Sequence, residues 1–156
     1  MDVLDDHDMR RFAALLSRDA RQWRRSIDEA LRPQGLTEAT WLPLLHLVRA
    51  EGPLLQKELA QALMLDSSSV VRLLDGLEAA GLVERTAIED RRAKAVRLTD
   101  AGRATVVQVE RVVDDARRRY LADVSADELA VALRVLEKVA AALGPAAATA
   151  TPEVVA

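Results

Sequence analysis

Apolar residues recur at helical spacing along most of this chain, and the breaks in that spacing divide it into segments. Phe12, Leu16, Trp23, Ile27 and Leu31 form one stripe of a helix running from about Asp8 to Arg32, with Leu15 and Ala20 beside it. Arg10, Arg11, Arg18, Arg21, Arg24 and Arg25 occupy the rest of its surface. Pro33 disfavours helical backbone at Arg32 and stops it. Thr37 can cap a second helix reaching about Ala50, with Trp41, Leu44, Leu45 and Val48 on its apolar side. Pro43 lies inside that helix, removes one backbone donor, and predicts a bend. Glu51-Gly52-Pro53 ends it.

The middle of the chain changes character. Leu59, Ala60 and Leu63 fit a short helix from Gln56 to Leu63. Met64-Leu65-Asp66 interrupts the pattern, and Val70, Leu73, Leu74 and Leu77 then mark a second helix with Asp66 or Ser67 at its N-cap. Gly81 stands where a helix-ending C′ glycine belongs. The period then falls to two in Leu82 to Thr86 and again in Ala95 to Thr99, so two strands flank the charged run Glu89 to Lys94. Helix, turn, helix and a hairpin with a basic tip is the layout of a winged helix-turn-helix.

Helical spacing returns after Thr99, which can cap a helix from Asp100 to about Ala122. Val106, Val109, Val113, Ala116 and Tyr120 alternate at three and four, a coiled-coil spacing. Ser125 and Glu128 form a capping box for a last helix carrying Leu129, Leu133, Leu136, Ala140 and Leu143, closed by Gly144-Pro145. The expected fold is therefore mainly α, of the α+β winged helix-turn-helix kind, with about six helices and a two- or three-stranded wing hairpin. Residues 8–50 and 99–143 form a helical dimerisation lobe, 51–98 the winged lobe, and 1–7 and 144–156 flexible tails. One copy cannot cover seams this long, so a homodimer joined through the first and the last two helices is expected.

Composition narrows the function. Aromatics are 3% of the 156 residues, which leaves Leu, Val and Ala to build the core. Cysteine is absent, which excludes disulfides, thiol redox switching and Cys-based metal sites. With only His7 and His46, no phosphate-binding glycine loop and no hydrolase motif, neither an enzyme nor a cofactor is expected. No run reaches the ~18 apolar residues of a membrane span and no leader signal is visible, so the expected location is the cytoplasm, with no membrane partner. The net charge of −3 argues mildly against nucleic acid. Its distribution argues the other way: Arg85, Arg91, Arg92, Lys94, Arg97 and Arg103 face only Glu89, Asp90 and Asp100 within residues 85–103. One feature is awkward, because the second helix of the motif sets Asp66, Asp75 and Glu78 against Arg72 alone.

The residues suited to DNA are Ser67, Ser68, Ser69, Val71 and Arg72, at the start of that helix and off its buried face. Hydroxyls can bond phosphates or base edges, a valine can touch a thymine methyl, and arginine can reach guanine. Arg91 and Arg92 sit at the wing tip, where a ribbon can carry arginine into the minor groove, with Lys94 and Arg97 along the phosphates. Gln56 and Lys57 can position the first helix of the motif on the backbone. A second constellation joins Arg21, Trp23, Arg24, Trp41 and His46, whose indoles and cations suit a small aromatic carboxylate. The same residues also read as core tryptophans and solvated arginines, and sequence leaves both open.

These motifs carry a resemblance. The run Asp90 to Thr99 resembles the wing signature of the MarR family of bacterial transcriptional regulators, and Arg72 to Val83 resembles its recognition helix and strand entry. The wing Asp90 to Lys94, Arg21 to Arg24 and Leu36 to Trp41 are most similar to the SlyA branch, and the likeness spans roughly residues 10–143. It implies the homodimer, Arg92 as the inserted wing residue braced by Asp90, and an effector site between the lobes near Arg21, Arg24 and Trp41. Leu45 stands where the branch has a pocket histidine, so His46 is only its neighbour. Gly76 departs from the basic residue many members carry. The expected function is a repressor acting on a pseudo-palindromic double-stranded operator and released by a small aromatic acid. The alternative is a helical dimeric scaffold whose winged module binds protein.

Overall fold

The structure, a computed structural model, describes residues 4–50, 52–88 and 93–144. Helix α1 spans Asp6–Leu31, α2 Glu38–Arg49, α3 Gln56–Ala62, α4 Ser67–Ala79, α5 Asp100–Tyr120 and α6 Ala126–Leu143. Strands β1 (Leu54–Leu55), β2 (Val83–Ala87) and β3 (Lys94–Leu98) form an antiparallel sheet in the order β1-β3-β2. The six helices and three strands are those of a winged helix, and β1 supplies the third strand of the wing sheet.

Local chemistry sets the boundaries, twice against expectation. The first helix starts at Asp6, inside the stretch expected as a tail, because the Asp5 carboxylate accepts the His7 N–H at 3.4 Å and caps it. Of the expected tails, residues 1–3 and 145–156 lie outside the described residues. Thr37 occupies the N-cap position of α2, yet its side chain makes no capping bond. Asp28 does so from α1, accepting the Glu38 N–H at 2.6 Å and tying the two helices together. Pro43 sits buried inside a continuous α2. The Ser125–Glu128 capping box forms at α6.

One continuous core holds the chain together. Ile27 and Leu31 of α1, Trp41, Leu44 and Leu45 of α2, Leu59 of α3, Val70, Leu74 and Leu77 of α4, Val83, Val96 and Leu98 of the sheet, and Val106, Val109 and Val113 of α5 belong to a single buried cluster. The segments expected as two lobes thus share one interior, with α2 packed against both α5 and the winged elements. The α5 seam, expected to face another subunit, is covered inside this one: Val106, Val109, Val113 and Ala116 are all buried. In α6 no residue is buried, and Val131, Leu133, Val135 and Leu136 lie exposed. Phe12 and Leu16 of α1 are exposed as well.

Backbone contacts join the winged elements to α5. Helix α4 ends with Gly81 at φ 71°, the Leu82 N–H bonding the Leu77 carbonyl and the Gly81 N–H that of Glu78. This is a Schellman close, which needs the left-handed residue that glycine supplies. The Thr99 hydroxyl donates to the Gly81 carbonyl at 2.6 Å and accepts the Gly102 N–H at 3.0 Å, so one side chain binds the end of α4 and caps α5. Gly102 lies so close beneath that a Cβ there would sit 2.0 Å from the Leu82 carbonyl oxygen.

Candidate nucleic-acid interface

The start of α4 is built around Asp66. Its carboxylate accepts the N–H groups of Ser68 and Ser69, each at 2.9 Å, and their hydroxyls at 2.6 and 2.7 Å. The Ser68 hydroxyl first, then that of Ser69, holds the Asp66 carboxyl well below the usual carboxylate range. Two of the three serines are thereby drawn into the cap, which orients them. Ser67 and Arg72 stay exposed, and so does Val71.

Ser67 and Val71 border an open cleft of about 410 Å³ between the two helices of the motif and the base of the wing. Gln56 and Lys57 line it from α3, Ser67 and Val71 from α4, and Lys94 from β3. The structure therefore brings five of the expected contact residues around one concavity. The Oε1 of Gln56 is buried there without a hydrogen-bond partner among the described residues. A buried polar atom left so is uncommon and marks a place where an arriving group can be received. Arg97 is exposed on β3 and pairs with Glu84 across the sheet. The wing-tip residues Asp90, Arg91 and Arg92 lie outside the described residues.

Sequence reasoning missed the residue that resolves the acidity of the reading helix. Arg85 on β2 reaches back to α4, its Nη2 lying 2.6 Å from the Oδ1 of Asp75 and 2.6 Å from the Oε2 of Glu78. Glu78 first, then Asp75, raises the guanidinium pKa further, and Arg85 in turn lowers that of the Glu78 carboxyl. The two acids thus face the wing with a shared cation. Sequence showed only half of this: Asp75 and Glu78, three apart, share a helix face, but nothing in their spacing names Arg85 as the partner.

The expected effector residues separate into two environments. Arg21 and Arg24 border a polar concavity of about 330 Å³ with Arg25, Asp28 and Glu38. Arg24 lies 3.4 Å from Glu38, and Arg21 donates to the Ser17 hydroxyl at 2.8 Å. Trp23 is half-buried, edge-on to Tyr120 with ring centres 5.2 Å apart. Trp41 and Leu45 have no exposed surface and belong to the core. His46 is buried too, and burial, with Arg49 adding to it, pushes its pKa down to about 4. These three offer no surface to a ligand at the arginines. Among the described residues no cluster of three metal-binding side chains occurs, and no helix is long and apolar enough to cross a membrane.

Comparison with known proteins bears on the family and the fold. A family model described as MarR family matches residues 34–93. The chain is 39% identical to the crystal structure of transcriptional regulator PA3341, with a TM-score of 0.79, covering 85% of this chain and 97% of that one. CouR from Rhodococcus jostii RHA1, solved bound to p-coumaroyl-CoA, is 28% identical with a TM-score of 0.72, over 82% of this chain and 90% of that one. A cysteine-to-serine mutant of MarR from E. coli, solved in complex with operator DNA, is 28% identical with a TM-score of 0.74, over 87% of this chain and 99% of that one.

Proposed function

This chain belongs to the MarR family of transcriptional regulators, and on that premise we propose that it is a homodimeric, sequence-specific repressor of a pseudo-palindromic operator. The observation that carries this reading is the cleft between α3, α4 and the wing. It gathers Gln56, Lys57, Ser67, Val71 and Lys94 on one side of an acidic protein, with Arg72 exposed nearby on α4. Helix α4 enters the major groove, where Ser67, Val71 and Arg72 meet base edges and phosphates. Ser68 and Ser69, fixed by Asp66, set the approach of the helix end. Arg91 and Arg92 reach the adjacent minor groove, and Lys94 follows the backbone. Arg97 contributes less than a free arginine, since Glu84 shares its charge. A relative solved with operator DNA supports this arrangement, and it favours DNA over the protein-binding scaffold.

The exposed apolar faces of α6 and of the first half of α1 support the homodimer. Repression follows from occupancy, because a pair of winged units seated on a duplex blocks it without further parts. We place the chain nearest the SlyA branch on its wing and α1 motifs, and in the cytoplasm, where its DNA is. A small aromatic acid is its effector, held at the rim where Arg21 and Arg24 lie; a relative solved with p-coumaroyl-CoA supports only the aromatic acyl part of that ligand. Binding there shifts the dimer toward a lobe spacing that no longer matches successive major grooves, ~34 Å apart.

The test is anisotropy of labelled fragments selected from the host's genomic DNA. Affinity falls linearly on a log scale with rising salt, with a slope set by the phosphates neutralised. Arg92→Ala weakens cognate binding steeply with the fold intact. Salt-independent binding, or unchanged affinity in the Arg92 variant, counts against the reading.

A further inference from the structure

We propose that Arg85 is a positioning residue for DNA reading, joining the wing to the recognition helix through Glu78 and Asp75 so that both meet the duplex as one body. The proposal rests on the DNA-binding reading above. Three features of the geometry carry it. The first is the number of bonds converging on Glu78. Its Oε2 accepts Arg85 Nη2 at 2.6 Å and Nε at 3.1 Å, while its Oε1 accepts the backbone N–H of Arg85 at 3.2 Å. Both carboxylate oxygens are committed to a single residue of β2, and Asp75 holds the same guanidinium one helical turn earlier.

The second feature is where that residue lies in the sheet. Strand β2 is an edge, paired only with β3. Strand β1 pairs with β3 only at Val96 and Ala95, opposite Arg85 and Thr86 of β2. Beyond Thr86 the sheet narrows to two strands, which alone are marginal in water. Arg85 therefore grips the wing from the α4 side close to the last point at which β1 supports it from the other. An edge N–H that would otherwise lie open takes the helix carboxylate as its partner.

The third feature is burial. The Arg85 side chain is 14% exposed, against 57% for Asp75 and 40% for Glu78. Exposed ion pairs contribute little, whereas a covered guanidinium with several acceptors holds its geometry. Arg85 also lines the cleft beside Lys57 and Lys94, but its guanidinium is already taken by the two acids. Its charge instead offsets the two acids that would otherwise set the reading helix against DNA.

Simple electrostatics and positioning then predict opposite results. Removing an acid from a DNA-reading helix should tighten binding if its charge is only a burden. If it anchors the wing, binding weakens. The experiment measures operator affinity across a salt series for the full-length dimer carrying Glu78→Gln, Asp75→Asn or Arg85→Gln, and the exchanged pair Glu78→Arg with Arg85→Glu. Thermal melts and sedimentation follow fold and assembly. We expect Glu78→Gln and Arg85→Gln to weaken binding on the order of tenfold, Asp75→Asn less, all with an unchanged salt slope. The exchanged pair should recover most of the loss, which a variant that merely unfolds cannot do. Glu78→Gln binding as tightly as the parent overturns the proposal, and so does a salt slope lowered by about one in Arg85→Gln, which marks a phosphate contact. If the parent binds no selected fragment in a salt-dependent way, the DNA reading itself fails. Failure confined to the variants leaves that reading standing.

Discussion

Helices α5 and α6 carry the same kind of apolar spacing and meet opposite fates. In α5 the residues at three and four apart are buried beneath α1 and α2, and only Tyr120 at its end remains partly open. In α6 none of the equivalent series is buried: Leu129 and Ala140 are half-covered, and Leu133, Leu136 and Leu143 lie exposed. Periodicity thus states that a face seeks cover. It does not say whether the cover comes from the same chain. What distinguishes the two is connection: α5 begins on the Thr99 and Gly102 contacts that fasten it to the winged unit, whereas α6 follows a short turn and packs on nothing comparable.

The largest effect that could break this contrast is at α6. Leu133→Glu with Leu136→Glu should leave the subunit folded but drive sedimentation to single copies, with operator affinity falling ~100-fold or more as the second half-site is lost. An unchanged dimer would show that α6 is not the joining face. Next comes the α5 anchor. Gly102→Ala forces a methyl into the Leu82 carbonyl and should cost about 3 kcal/mol or more in a denaturant melt. A loss below about 1 kcal/mol would mean the joint can open to admit it.

The cover over α5 has a pH handle in His46 on α2. Its pKa is pushed from the ordinary 6.5 down to about 4, so the unfolded chain binds the extra proton first. The stability that accompanies the neutral imidazole is complete above pH 6.5 and is lost as pH falls toward about 4. The change is on the order of 3 kcal/mol, and His46→Gln should flatten the stability profile across that window. The smallest effect sharpens the comparison most directly. Val113→Ala should cost about 2 kcal/mol at any protein concentration. Val135→Ala should cost a few tenths in dilute protein and show its main penalty only where copies associate.

Much of this was legible in the sequence, and the gaps have physical causes. The six helices and the two hairpin strands were foreseeable from periodicity and punctuation, because Gly81, Asp66 and the Ser125–Glu128 pair act locally, whereas the two-residue β1 is too short to leave a pattern. Asp28 as the cap of α2, and Arg85 as the partner of Asp75 and Glu78, join residues ten or so apart across elements. No spacing rule fixes which acid turns to which base once the chain folds back. Trp41 read equally well as ligand wall or core; a stripe cannot distinguish them, and its fully covered ring places it in the core. Ser67, Val71 and Lys94 border one cleft, a proximity set by the fold and not by any spacing along the chain.

The seat of Gly102 on the Leu82 carbonyl has a consequence for signalling. Side chains can yield by changing rotamer, but main chain pressed on main chain has no such give. The start of α5 and the strand entry at Leu82 are therefore expected to move together, which ties any displacement of α5 to the end of α4.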